Sequence, residues 1–311
     1  MSQAVHRYEE RAMGSLFEVR IAGMDELTAR GAAQAAFEVL HRLDRELSRF
    51  DPTSAVSRIA RLSAGDSLRL GPAAFECLEL ALEVFQETGG ALDVTIAPLL
   101  DFWRQVGPDA KVEDVTLAGL YERVGSELLR LDRASRSVQV FADHVQIDLG
   151  ALGKGYAVDQ MIERLMAWDA PAALVHGGTS SMYALGAPPG WDGWPIELRH
   201  PEEGRPPLEV LILTNQGCSG SGALLAEPGS PSDCHVVDPR TGRPARQRPA
   251  SWVLAPTAGR SDALSTAFLL LTVEEVETYC QVRPEISAVL VDNEPGGLAV
   301  HRIGKYFARK D

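Results

Sequence analysis

Asp148-Leu-Gly-Ala-Leu-Gly-Lys-Gly-Tyr-Ala-Val-Asp159 is the most informative stretch of this chain. It joins a carboxylate, three glycines and a lysine, and it runs straight into an apolar-periodic segment that reads as a helix from Tyr156 to Met166. A glycine-rich turn lets backbone approach a bulky anion, and a lysine within it adds a point charge. That combination suggests a phosphate-bearing ligand. The spacing is neither that of a P-loop nor that of a dinucleotide fingerprint, so the segment read alone is more often a loop closing onto a helix than a ligand cradle.

On either side, the pattern alternates between the two secondary-structure periods. Phe17, Val19 and Ile21 alternate as in a half-buried strand that stops at Gly23. Ala36, Val39, Leu40, Leu43 and Leu47 share a helix face, and Phe75, Leu78, Ala81, Val84 and Phe85 share another, ended by Gly89-Gly90. Residues 128–148 read as short strands with a turn near Asp132–Arg136. Strand-like runs follow at Ala172–Val175, Trp194–Leu198, Leu208–Thr214 and Trp252–Leu254, then a helix at Ser261–Leu271, then strands Ser287–Val291 and Leu298–Arg302 around a turn at Asn293–Gly297. Proline and glycine concentrate at 186–193, 227–232 and 239–249, which read as surface loops. Helices interspersed with runs of strands predict an α+β fold, with no interdomain linker and one domain over 1–311.

Composition narrows the function. The chain has 311 residues, 45% of them hydrophobic, and a formal net charge of −13. That charge argues against non-specific nucleic-acid binding, which relies on clustered lysine and arginine. No run approaches membrane-spanning length, and Met1–Glu10 contains neither a signal-peptide core nor a cysteine for lipid attachment, so a cytoplasmic protein is expected. Cys77, Cys218, Cys234 and Cys280 are scattered, as ordinary thiols are.

Four more segments carry groups with chemistry. In Gly89-Gly-Ala-Leu-Asp-Val-Thr-Ile-Ala-Pro98, Asp93 reads either as an Asx turn after a helix or as an acceptor for a ligand edge. Val175-His-Gly-Gly-Thr-Ser-Ser181 offers successive backbone N–H groups or a plain tight turn. Asp238-Pro-Arg-Thr-Gly242 is a turn with His235 just upstream, and an ordinary imidazole pKa of about 6.5 suits a base that activates a hydroxyl. In Ser261-Asp-Ala-Leu-Ser-Thr266, Ser261 and Asp262 read as a helix cap. The same carboxylate with Ser265 and Thr266 also forms an all-oxygen cluster suited to Mg²⁺.

Taken in order with Met13-Gly-Ser and Leu43-Asp-Arg-Glu-Leu-Ser-Arg-Phe-Asp-Pro-Thr-Ser54, these segments resemble the ApbE-like FAD:protein FMN transferases along nearly the whole chain. The resemblance implies a T-fold-like domain with mixed or antiparallel sheets flanked by helices. It implies transfer of FMN from FAD to a threonine or serine hydroxyl of an acceptor flavoprotein, with Mg²⁺ and release of AMP. By motif position it assigns FAD contacts to Met13, Phe50, Ala91, Leu92, Asp93, Asp148, Lys154 and Val236. Metal ligation falls to the Ala151 backbone oxygen and to Asp262, Ser265 and Thr266, and the reaction-assisting histidine is His235. Phe50 stands where a tyrosine is common, Ser265 where some members have aspartate, and Thr179-Ser-Ser181 where many have Asp or Asn. Two other readings remain open at this stage: a Mg²⁺-dependent FAD pyrophosphatase, and a protein that binds FAD without transferring it.

Overall fold

The computed structural model describes residues 4–202, 204–222, 236–245 and 248–308. The chain begins with a hairpin, β1 (Val5–Ala12) and β2 (Ser15–Ala22), turned at Met13-Gly14, both with positive φ. Helix α1 (Glu26–Leu47) follows, capped by the Asp25 carboxylate, which accepts from the N–H groups of Leu27 and Thr28. Next come α2 (Ala55–Ile59), β3 (Ser67–Arg69), α3 (Pro72–Glu87), α4 (Ala97–Val106), α5 (Asp114–Tyr121), β4 (Leu129–Asp132) and β5 (Ser137–Val140). The quoted stretch opens α6 (Gly153–Met166), which leads to β6 (Ala172–Gly177), β7 (Ser181–Leu185), β8 (Trp194–Leu198), β9 (Glu209–Leu213) and β10 (Gln216–Ser221). The chain closes with β11 (Val237–Asp238), β12 (Arg243–Pro244), β13 (Ala250–Ala255), α7 (Ala258–Phe268), α8 (Val273–Val282), β14 (Ser287–Glu294) and β15 (Gly297–Ile303).

One sheet organises everything else. Its order is β1-β2-β6-β7-β10-β13-β14-β15, and every strand pairing among the described residues is antiparallel. Because side chains alternate along a strand, the sheet feeds two cores. Phe17, Val19, Ile21, Ala173, Val175, Val253, Ala255, Ala288 and Leu290 point to the face covered by helices, where α1, α3, α6 and α7 supply Leu40, Leu78, Met161 and Phe268. Ala22, Leu174, Met182, Trp252, Leu254, Val289 and Val291 point to the other face, covered by the β8–β9 hairpin through Trp194, Ile196, Leu198, Leu211 and Leu213. A third, smaller cluster joins α4 and α5 to Val237.

The structure matches the α+β expectation and corrects some of its detail. Helix α7 starts at Ala258, with Thr257 as its N-cap accepting from Arg260 N–H. Ser261 and Asp262 therefore sit a full turn inside the helix, and the capping explanation for them is wrong. Gly259 in the first turn masked the start, because glycine is a poor helix former. Of residues 128–148, only β4 and β5 are strands, and the turn at Asp132–Arg136 joins them. Among the described residues no helix is long and apolar enough to cross a membrane. Cys77, Cys218 and Cys280 are buried and free, and burial pushes each thiol's pKa up, to about 12 for Cys218 and Cys280. The sequence loop at 227–232, Cys234 and His235 lie outside the described residues.

Candidate active site

Helices α6 and α7 pack with almost nothing between them. A Cβ on Gly155 would run into the Ala258 carbonyl and come within 2.7 Å of the Asp262 Cβ. The glycine therefore serves helix contact, and the contact exposes two backbone ends to carboxylates. Gly155 N–H donates to Asp262 Oδ2 at 3.0 Å. In return, Ala258 N–H and Gly259 N–H donate to Asp159 Oδ1 and Oδ2 at 2.7 and 2.8 Å. Each helix thus lends a carboxylate to the first turn of the other, where helix-dipole charge favours an anion. Asp262 is 3% exposed, and burial raises its pKa, against the opposing pull of the Lys154 charge and of hydrogen bonds from Ser181 and Gly155. Burial likewise lifts Asp159 to about 7, against its two backbone N–H bonds.

Beside this junction hydroxyls gather. Ser265 Oγ donates to the Asp262 carbonyl at 2.9 Å, and Ser221 Oγ lies 2.7 Å from Ser265 Oγ and 3.2 Å from Thr266 Oγ1. Ser219 Oγ meets Ser261 Oγ at 2.7 Å. No group of three or more His, Cys, Asp or Glu forms a metal-binding cluster among the described residues. One buried carboxylate with hydroxyl and carbonyl oxygens is a hard-donor set. Such a set suits Mg²⁺, which keeps several waters and shares its coordination with substrate phosphates.

The junction opens on a cleft of about 620 Å³. Lys154, Asp148, Thr266, Ser221, Thr179 and Ser180 give its lining polar groups, and Ala91, Leu92, Val94, Ile96, Leu100, Val237 and Leu270 give it apolar surface. That mixed lining suits a ligand that carries both a ring and charge. Of the residues expected from sequence, Ala91, Leu92, Asp93, Asp148, Ala151, Lys154, Val236 and Thr266 line the cleft. Asp262 and Ser265 are buried and not in the lining, but they bond to Gly155 and to the lining Ser221 respectively. Met13 is not in the lining, although Gly14 and Ser15 of the same turn are. Phe50 is 80% exposed and off the cleft, with the Arg49 guanidinium 5.0 Å from its ring centroid. His235 lies outside the described residues.

The charged groups of the cleft divide sharply. Asp93 is spent on the protein, accepting from Thr95 N–H (2.8 Å), Thr95 Oγ1 (2.7 Å), Ser126 N–H (2.9 Å) and Ser126 Oγ (2.7 Å). Asp148 accepts from Arg49 Nη1 at 3.0 Å and Gly150 N–H at 2.7 Å. Arg49, which also binds Asp101, thereby pins the α1–α2 loop to the cleft wall. Among the described residues Lys154 Nζ donates only to the Gly150 carbonyl, at 3.3 Å. The carboxylates are satisfied and the cations have donors to spare, so the cleft's free capacity is for an anion. Sequence reading missed Arg49, Asp159 and Arg104. Asp159 had a signal, since it stands four residues after Gly155 and so shares its helix face.

The Asp238–Gly242 turn closes the cleft from below. Gly242 N–H donates to the Asp238 carbonyl at 2.7 Å, and Arg240 N–H to Asp238 Oδ1 at 2.9 Å, as the turn motif predicts. Trp103 Nε1 of α4 donates to the Gly242 carbonyl at 2.7 Å, and Tyr121 Oη of α5 to the Pro239 carbonyl at 3.0 Å.

Comparison with known proteins points the same way. A family model described as the ApbE family matches residues 13–290. The FAD:protein FMN transferase of Salmonella typhimurium is 28% identical, over 95% of this chain and 86% of its own length. That of Haemophilus influenzae is 31% identical, over 74% and 67% respectively. The apo crystal structure of Pseudomonas stutzeri flavinyl transferase ApbE has a TM-score of 0.84 at 25% identity, covering 99% of this chain and 96% of that one.

Proposed function

Because this chain belongs to the ApbE family, we propose that it is a FAD:protein FMN transferase that moves FMN from FAD to a threonine or serine hydroxyl of an acceptor flavoprotein, with AMP as the leaving group. The observation that carries this reading is the meeting of the lysine loop and the Asp262 helix at one cleft. Gly155, next to Lys154, is bonded to Asp262, while Lys154 and Thr266 both face the same space.

A pyrophosphate resists attack because its anionic oxygens repel a nucleophile. Lys154 binds those oxygens, and its free donors are the reason the cleft accepts them. Asp262, Ser265, Thr266 and the Ala151 carbonyl would hold Mg²⁺, which neutralises phosphate charge and eases departure of AMP. The apolar wall of Leu92, Ile96, Leu100 and Leu270 orients the ring. His235 takes the proton of the incoming hydroxyl, an assistance worth about 10²–10⁴-fold in rate. One domain over 1–311 carries both sides of the cleft. Incubation with FAD, Mg²⁺ and a candidate acceptor tests the reaction, with mass spectrometry expected to show an FMN increment on the acceptor. FMN and AMP released rapidly with no acceptor would instead identify a pyrophosphatase, and bound FAD with no product would identify a carrier.

A further inference from the structure

Arg104 also faces the cleft, and nothing in the family motifs points to it. It sits on α4 one turn beyond Leu100, and both line the cavity, so the arginine continues the stripe of α4 that faces the ligand. Among the described residues four charged side chains line this cavity: Asp93, Arg104, Asp148 and Lys154. The two carboxylates are saturated by protein donors, as described above. Among the described residues Arg104 makes a single polar contact, Nη1 to Asp101 Oδ1 at 3.2 Å, and that same oxygen is already taken by Arg49. The Arg104 side chain is 45% exposed. A guanidinium with most of its fork unused, beside a carboxylate already shared with a second guanidinium, is available to an incoming anion at little cost.

Resting on the FAD reading, we infer that Arg104 is a second phosphate-binding cation, gripping the non-bridging oxygens of the flavin nucleotide from the α4 wall while Lys154 holds them from α6. A planar fork makes two parallel N–H···O bonds to a phosphate, which a lysine cannot. A half-exposed arginine keeps its head solvated until a phosphate arrives, so no unpaired charge is buried. Asp101 takes one N–H of the guanidinium and leaves the rest of the fork for the phosphate.

The test compares FAD, FMN and riboflavin binding, by flavin fluorescence titration, to the wild-type protein and to its Arg104→Gln and Arg104→Lys variants. Arg104→Gln is expected to weaken FAD and FMN about ten- to a hundredfold, the range for hydrogen bonds to charged groups, and to leave riboflavin unchanged. Arg104→Lys should fall between, since it keeps charge and loses the fork. Raised salt should narrow the gap between wild type and Arg104→Gln. An equal loss of riboflavin would make Arg104 a ring contact, and unchanged FAD and FMN affinity would make it a surface arginine; either result overturns the inference. Wild-type protein that binds riboflavin as tightly as FAD would instead bring down the FAD reading itself. Arg104 is half-exposed with one contact, and matching thermal unfolding of the three proteins confirms that only the site has changed.

Discussion

The two sides of the cleft are built by opposite means. On the α6–α7 side, positions are set by backbone groups held by buried carboxylates: Gly155 N–H by Asp262, Ala258 and Gly259 N–H by Asp159. On the α4–β11 side, they are set by ordinary packing, with Trp103, Leu117 and Val237 in a small apolar cluster and a turn hung from two side-chain hydrogen bonds. The first side tolerates no change of shape; the second depends on the sum of many replaceable contacts. The difference separates a part that must hold charge in place from a part that needs only to fit a ring.

The strongest challenge to that comparison is Asp262→Ala. It removes both the proposed metal ligand and the bond to Gly155, and Mg²⁺-dependent FMN transfer should fall by about a thousandfold or more. Transfer at the wild-type rate would take the metal out of the mechanism. Gly155→Ala comes next: a methyl forced against Ala258 and Asp262 should cost about 1–3 kcal/mol in urea unfolding and weaken FAD binding with it. A wild-type midpoint would mean the helices can part, and the contrast with the α4 side would dissolve. Trp103→Phe sharpens the other half. It leaves the Gly242 carbonyl without its donor and should cost about 1–3 kcal/mol, yet reduce FAD affinity less than Gly155→Ala does.

The smallest expected effect concerns pH. Burial lifts the Asp159 carboxyl to about 7 in the folded protein, above its unfolded value near 3.8. A folded pKa raised in this way gives stability that is complete below the unfolded value and is lost as pH rises through about 7. Melting temperature measured between pH 5 and pH 8 should therefore fall with rising pH in the wild type. Asp159→Asn should flatten that slope. An equal slope in both proteins would assign the effect elsewhere.

The same contrast decides what could be read from the sequence. Strands buried on both faces, such as Ala172–Gly177 and Ser287–Glu294, announce themselves as apolar runs, and α1, α3 and α6 by their periodicity. The central strands β7 and β10 escaped, because Ser219, Gly220 and Ser221 are small for reasons of packing. The Trp252 ring lies against Gly220, and Ser261 of α7 reaches Ser219. Edge strand β1 escaped for the opposite reason, since its exposed Arg7, Glu9 and Arg11 leave it without an apolar alternation to read. Most polar groups lining the cleft lie in short segments at 148–154, 179–180 and 266 that were legible as motifs, with Ser221 an exception. Arg104 was not, because a lone arginine on a helix carries no pattern until the fold shows what it faces.

The pairing of Gly155 with Asp262, and of Asp159 with Ala258 and Gly259, makes the first turns of two helices a single rigid block. A pull on the carboxylate is therefore felt at once by the lysine beside it, and neither can be retuned alone. Room for variation is left one turn onward, at Ser265 and Thr266, whose hydroxyls among the described residues bond other hydroxyls and a carbonyl. If the proposed Mg²⁺ sits at Asp262, substitutions that tune it should collect at Ser265 and Thr266, while the block itself stays unchanged.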